Sequence, residues 1–168
     1  IQMGMLPHAF ALPTDARFEL HAVLEPAKAV GGDLFDFFLL DENRLFFLIG
    51  DVSDKGVPAA LFMAVSKTLF MVEAKRDSAS VSKIMERVNR SLCENNSESM
   101  FVTVFAGILD LRSGEIICSD GGHEQPFALR RSGEAEMIKK KKGGVVLGFI
   151  GDAVYQDERI QLLPDEGL

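Results

Sequence analysis

Apolar positions along the chain follow a period of two, then of three to four, then of two again. Phe18, Leu20, Ala22 and Leu24 alternate with Arg17, Glu19, His21 and Val23, the pattern of a strand with one face inward. Residues 34–40 and 44–49 are dense apolar runs separated by Asp41, Glu42 and Asn43, which predicts a buried β-hairpin. Residues 58–75 switch to a helical period, with Leu61, Val65, Thr68, Leu69 and Val72 on one expected inner stripe. Pro58 suits the first turn, where its missing N–H costs nothing. Phe62, Met63 and Phe70 widen the apolar surface, so this helix is expected to pack on more than one side, with Met63 and Met71 as core filler. A second helix is expected over 81–94, capped by Ser80, with Ile84, Val88, Ser91 and Leu92 inward.

Strands return at 101–111 and 115–119 around Arg112, Ser113 and Gly114. A further hairpin is expected over 125–131 and 134–138, around Ser132 and Gly133, and residues 154–163 alternate again. Residues 1–6 suit the last turns of a helix stopped at Pro7. Strands, two consecutive helices and then strands predict an α+β fold with mostly antiparallel pairing, the helices covering one sheet face and the strand count allowing a second sheet. With 168 residues and no internal repeat or linker, one domain is expected.

Composition narrows the function classes. The chain is 47% hydrophobic and 26% charged, which excludes a disordered or fibrous protein. Eighteen Lys and Arg against 25 Asp and Glu leave a net charge of −7, which repels a phosphate backbone and argues against nucleic acid as the partner. Cys93 and Cys118 form no C-x-x-C pair and read as free thiols of a cytoplasmic protein. No apolar run reaches the roughly 18 residues of a membrane span, and the start lacks a signal-peptide layout, so no membrane partner is expected. The chain does not begin with Met and is expected to be cut from something longer.

The candidate chemistry lies in residues 31–56. Asp33 opens one apolar strand of the hairpin and Asp51 closes the other, positions that face each other across a short-turn ladder. Two opposed carboxylates repel unless a cation lies between them, and oxygen-only ligands point to Mg²⁺ or Mn²⁺; a pair of strand-end turn aspartates is the alternative. Gly31, Gly32 and Gly50 clear side chains from that spot. Asp36 points to the opposite face from Asp33 and is expected to serve a hydrogen bond. Residues 51–62 are not a calcium loop, because Lys55 and Phe62 stand where oxygen ligands are needed. His123 reads as a turn histidine that organises its loop, with a general acid as the alternative. The lysine run 139–142 reads as a solvated loop, with a dock for an acidic or phosphorylated partner as the alternative.

Four segments, GGDLFDFF, IGDVSDKGVPAALFMA, FVTVFAGILDLRSGEI and DGGHEQPF, in this order and spacing, resemble the SpoIIE-type bacterial serine/threonine phosphatases of the metal-dependent, protein phosphatase 2C-like superfamily. The resemblance runs from residue 1 to about residue 163. It implies a β-sandwich of mostly antiparallel sheets flanked by helices, with two Mn²⁺ or Mg²⁺ ions at one end. It implies hydrolysis of phosphoserine or phosphothreonine on a regulatory protein, typically an anti-anti-sigma factor of the STAS fold. By position, Asp33 and Asp51 match metal-binding acids that act through metal-activated water, and the Val52 backbone carbonyl matches a further ligand.

Residues 1–7 resemble the coupling helix or linker from an upstream sensor or receiver domain, with Ile1, Met5 and Leu6 as a coupling or homodimer face, leaving 8–168 as the phosphatase domain. Such phosphatases continue past a segment like LPDEGL into a TDG strand and a last metal-binding Asp, so the expectation is a domain lacking its C-terminal strands. Asp165 belongs to the turn before that strand and is not taken as a ligand. Asp54 stands where Gly is frequent, and Asp120-Gly121 where Asn-Ala is usual. The competing expectations are a non-catalytic partner-binding module of the same fold, or a small-molecule phosphohydrolase with a deep pocket.

Overall fold

The computed structural model describes residues 17–24, 31–94, 96–139 and 144–168. The expectations for residues 1–7 and most of the lysine run 139–142 lie outside them. Strands β1 (Leu34–Leu39) and β2 (Arg44–Val52) form the hairpin. Asp41 Oδ1 accepts the backbone N–H groups of Asn43 and Arg44, both at 2.9 Å, and so closes the turn. Helices α1 (Val57–Arg76) and α2 (Val81–Glu94) follow. Then come β3 (Val102–Asp110), β4 (Glu115–Gly121), β5 (Phe127–Leu129), β6 (Ala135–Met137) and β7 (Glu158–Gln161).

The order β1-β2-β3-β4-β7 makes one five-stranded sheet, antiparallel throughout, and β5-β6 a separate two-stranded ladder. The fold class is α+β, as expected. The second layer that the strand count allowed is reduced, among the described residues, to the short β5-β6 ladder. Residues 17–24 keep their alternation of exposed and half-buried side chains but form no strand, and residues 154–163 pair only over Glu158–Gln161.

The alternation along each strand sorts the two faces. Leu34, Phe46, Leu48, Val52, Val102, Val104, Ala106 and Ile108 face the helices, and with Met63, Phe70, Val81, Ile84, Met85 and Val88 they form the main core. Phe105, Ile116, Cys118 and Ile160 form a smaller cluster on the other face.

The inner face of α1 differs from the predicted stripe. Ala59, Met63, Ser66, Phe70 and Ala74 are buried, while Leu61, Val65, Thr68 and Val72 are exposed and Leu69 is partly buried. The helix is apolar on all sides, so periodicity could not choose a face. Packing chose the side where small residues let the backbone approach the sheet. By length and composition α1 could also cross a membrane, contrary to the sequence expectation, yet this helix lays one side on the sheet and ion-pairs its Lys67 to β1. In α2 the polar and apolar faces are distinct, and the predicted bounds hold. Ser80 Oγ accepts the Lys83 N–H at 3.2 Å as the N-cap, although Ser91 lies exposed, not inward.

Candidate metal centre

The β1-β2 register pairs Leu34 with Gly50, so Asp33 and Asp51 are the next facing positions where the hairpin opens. The Asp51 carboxyl is held above its ordinary range. The largest cause is desolvation; the charge of Asp33 and a side-chain hydrogen bond with Asp33 add to it, and the nearby His123 opposes it. The Asp33 carboxyl thus bears directly on that of Asp51, and both residues are exposed at an open end of the sheet. Two acids this close resist joint ionisation, and a divalent cation between them removes the conflict.

Glycine shapes the spot at two positions. A Cβ on Gly32 would stand 2.8 Å from the Val52 carbonyl oxygen, and one on Gly50 would stand 2.5 Å from the Thr103 carbonyl oxygen. Gly31 has no such need, since its Cβ would only reach ordinary contact with Asp33. Val52 donates its N–H to the Gly32 carbonyl across a long 3.4 Å, which leaves the Val52 segment weakly tied to β1.

The loop after Asp51 is fixed from β3. Ser53 N–H donates to the Phe101 carbonyl at 2.8 Å, and Phe101 N–H donates to Ser53 Oγ at 3.0 Å. Asp54 adopts a φ of 71°, the left-handed region that glycine enters freely, and its Oδ1 accepts the Lys55 N–H at 2.8 Å. That geometry explains how Asp stands at a position where Gly is frequent. Gly56, with φ 83°, then opens α1, and Pro58 sits in its first turn.

Asp36 lies on the helix-facing side, opposite Asp33, as its parity requires. It is buried, accepts the Phe37 N–H at 3.0 Å and ion-pairs with Lys67 at 2.8 Å. His123 is tied to the centre. Its Nδ1 lies 2.9 Å from Thr103 Oγ1, Thr103 Oγ1 lies 3.2 Å from the Asp51 carbonyl oxygen, and Thr103 is the ladder partner of Asp51. Asp120 organises the turn, accepting the His123 N–H at 3.0 Å and the Gly144 N–H at 2.9 Å.

The structure brings Asp33 and Asp51 to facing positions and sets His123 in a turn beside them, as the sequence led one to expect, while the contacts of Thr103 and Lys67 and the two hydrogen bonds accepted by Asp120 were not read from it. The β2-β3 register would have found Thr103, since it places a hydroxyl opposite Asp51. Both cysteines are free; burial raises the Cys93 thiol and pushes Cys118 up to about 12, with Glu158, Asp157 and Asp120 adding to the latter. Neither suits a nucleophile. Among the described residues no group of three or more His, Cys, Asp or Glu stands in a metal-holding arrangement, so an ion at this sheet end would have to rest on the carboxylate pair and neighbouring carbonyls. Hard oxygen donors of this kind fit Mg²⁺ or Mn²⁺.

Comparison with known proteins gives the family and the fold. The family model "Stage II sporulation protein E (SpoIIE)" matches residues 41–168. The chain is 28% identical over 194 residues to "Protein IcfG" of Synechocystis, covering 100% of this chain and 30% of that protein. It is 28% identical over 145 residues to "Phosphoserine phosphatase RsbU" of Bacillus subtilis, covering 86% of this chain and 42% of that protein. The chain thus spans less than half the length of these curated relatives. The solved PP2C phosphatase domain of SpoIIE from Bacillus subtilis, with a fragment of its regulatory domain, superposes with a TM-score of 0.71 at 16% identity, covering 83% of this chain and 40% of that one. That likeness establishes the protein phosphatase 2C-like fold.

Proposed function

The chain belongs to the SpoIIE family, and from that premise we propose that it is a metal-dependent protein phosphatase domain hydrolysing phosphoserine or phosphothreonine on a bacterial regulatory protein. The observation that carries the reading is the facing pair Asp33 and Asp51, two carboxyls pressed together at an exposed sheet end where buried pairing cannot relieve them.

In this reading Asp33, Asp51 and the Val52 carbonyl hold Mn²⁺ or Mg²⁺, two ions in the complete shell. A divalent ion there supplies Lewis-acid chemistry, lowering the pKa of water toward about 7 and neutralising phosphoryl charge. The chain's own residues set the geometry. The β1-β2 register sets Asp33 and Asp51 at facing positions just beyond its last pair, and Gly32 lets the Val52 carbonyl approach. The Ser53-Phe101 hydrogen bonds keep the following loop against β3. The high thiol pKa values of Cys93 and Cys118 support a mechanism without a covalent phosphocysteine.

Exposure of both carboxylates favours a phosphate presented by a protein surface over a small ester enclosed in a pocket. The phosphoserine activity named for RsbU supports the same substrate class. We extend the reading to a STAS-type anti-anti-sigma substrate, a cytoplasmic location, an upstream sensor or receiver domain and homodimerisation; these rest on family membership. The test is phosphate release from a phosphoserine protein by the full-length chain after chelation and after Mn²⁺ is restored. Release only with metal is expected, and equal release in chelator would overturn the reading.

A further inference from the structure

Thr103 Oγ1 has two polar neighbours, the Asp51 carbonyl oxygen at 3.2 Å and His123 Nδ1 at 2.9 Å. A threonine hydroxyl carries one proton, and a carbonyl oxygen can only accept. The hydroxyl proton must therefore go to Asp51. His123 Nδ1 must then carry its own proton and donate it to Thr103 Oγ1. The reverse assignment, with Thr103 donating to His123, would leave two oxygens 3.2 Å apart with no proton between them.

We infer that His123 and Thr103 are positioning residues for the carboxylate centre, a directed relay from His123 Nδ1–H through Thr103 Oγ1–H to the Asp51 carbonyl. The inference rests on the reading of this sheet end as a divalent-metal site. The need for such a clamp is local. The β1-β2 ladder ends at the Leu34-Gly50 pair, and the next tie, from Val52 N–H to the Gly32 carbonyl, stretches to 3.4 Å. Asp51 thus stands where the hairpin opens, facing a second carboxylate that repels it when both are ionised. On the β3 side the ladder already pairs Asp51 with Thr103 and Val52 with Val102, so the side-chain relay adds a second hold, on the Asp51 carbonyl, to the backbone pairing.

Thr103 supplies that second hold from the facing register position, and His123 orients the hydroxyl. The imidazole is itself seated, because Asp120 accepts the His123 backbone N–H at 3.0 Å and the Gly144 N–H at 2.9 Å with its other oxygen. The 120–123 turn therefore braces the metal centre through the end of β2.

The experiment is Mn²⁺ binding to the full-length protein, followed by the electron paramagnetic resonance signal of free Mn²⁺, for the parent and for Thr103→Val, Thr103→Ser, His123→Ala, His123→Asn and His123→Gln. Loss of an outer-shell partner costs about 10-fold to 100-fold in metal affinity, and that loss is expected for Thr103→Val and His123→Ala. Together they should be no worse than the worse single change, since they break one relay. Thr103→Ser keeps the hydroxyl and His123→Asn keeps an N–H near the Nδ1 position, so both should bind as the parent does. His123→Gln, whose amide reaches toward the Nε2 position, should not. Parent-like binding in both Thr103→Val and His123→Ala, or rescue by Gln and not by Asn, would overturn the relay.

The ¹⁵N spectrum of the metal-free protein at mildly alkaline pH gives a second readout. It should show the neutral His123 ring protonated at Nδ1, and an Nε2–H tautomer would overturn the assignment. A parent protein that binds no Mn²⁺ would instead fell the metal reading and the clamp's role in it, while the ¹⁵N spectrum would still decide the relay's direction.

Discussion

Lys67 Nζ, on α1, lies 2.8 Å from Asp36 Oδ2, on β1, with the two side chains only 15% and 5% exposed. The pair joins the helix that follows the Asp51 loop to the strand that follows Asp33. Removing Lys67 alone leaves a buried carboxylate without its cation. Lys67→Met should therefore destabilise the protein by about 3–5 kcal/mol, and Asp36→Leu combined with Lys67→Met should recover most of the loss. Urea unfolding checks this; a double variant as unstable as the sum of the singles would show that the two groups are not coupled.

Phe70 is fully buried against Phe46, whereas Leu61 is 64% exposed. Phe70→Ala should cost about 3–5 kcal/mol as a core truncation. Leu61→Ala should change stability by no more than about 0.5 kcal/mol, the range of ordinary surface changes. Thermal melts of both variants discriminate, and a loss at Leu61 matching that at Phe70 would restore the stripe read from periodicity.

These two residues also show what could be read from sequence. The hairpin was legible because a short polar turn at Asp41 to Asn43 separates two apolar runs, and its turn fixes which residues face each other. Asp33 and Asp51 followed from that register without any contact being known. Helix α2 was legible because Ser80 caps it and its faces differ in polarity. Helix α1 has no polar face, so the choice of Ala59, Ser66 and Ala74 as the inner side depended on how close the helix must come to the sheet. The Thr103-His123 contact joins residues twenty positions apart through a ladder and a turn, and neither side chain announces it. Asp54 at positive φ reads in sequence as an oddity and in structure as a left-handed turn.

The raised pKa of Asp51 carries a sign for stability. An acid whose folded pKa lies above its unfolded value favours the folded state below the usual carboxylate range, near about 4, and loses that favour as pH rises through the folded value. In metal-free protein at neutral pH an ionised Asp51 beside Asp33 should therefore be a liability. Asp51→Asn should raise the metal-free melting temperature at neutral pH, and the gain should fade on acidification. A gain that persists unchanged in acid would mean that ionisation of Asp51 is not its source.

Cys118 is buried with its thiol pushed up to about 12, and Cys93 is also raised. Iodoacetamide should leave Cys118 unmodified in the folded protein, and phosphate release should continue at its initial rate. Mass spectrometry of the treated protein beside the assay checks both. Fast labelling of Cys118 with loss of turnover would implicate a thiol in the chemistry.

The carboxylate pair itself is tested most directly by titrating Mn²⁺ into metal-free full-length protein and following phosphate release from a phosphoserine protein, for the parent, Asp33→Ala and Asp51→Ala. Turnover should rise and saturate with Mn²⁺ in the parent and stay at background in both variants, with melting curves showing each still folded. Metal-independent turnover in the parent, or parent-like turnover in a folded Asp51→Ala protein, would contradict the assignment of this site.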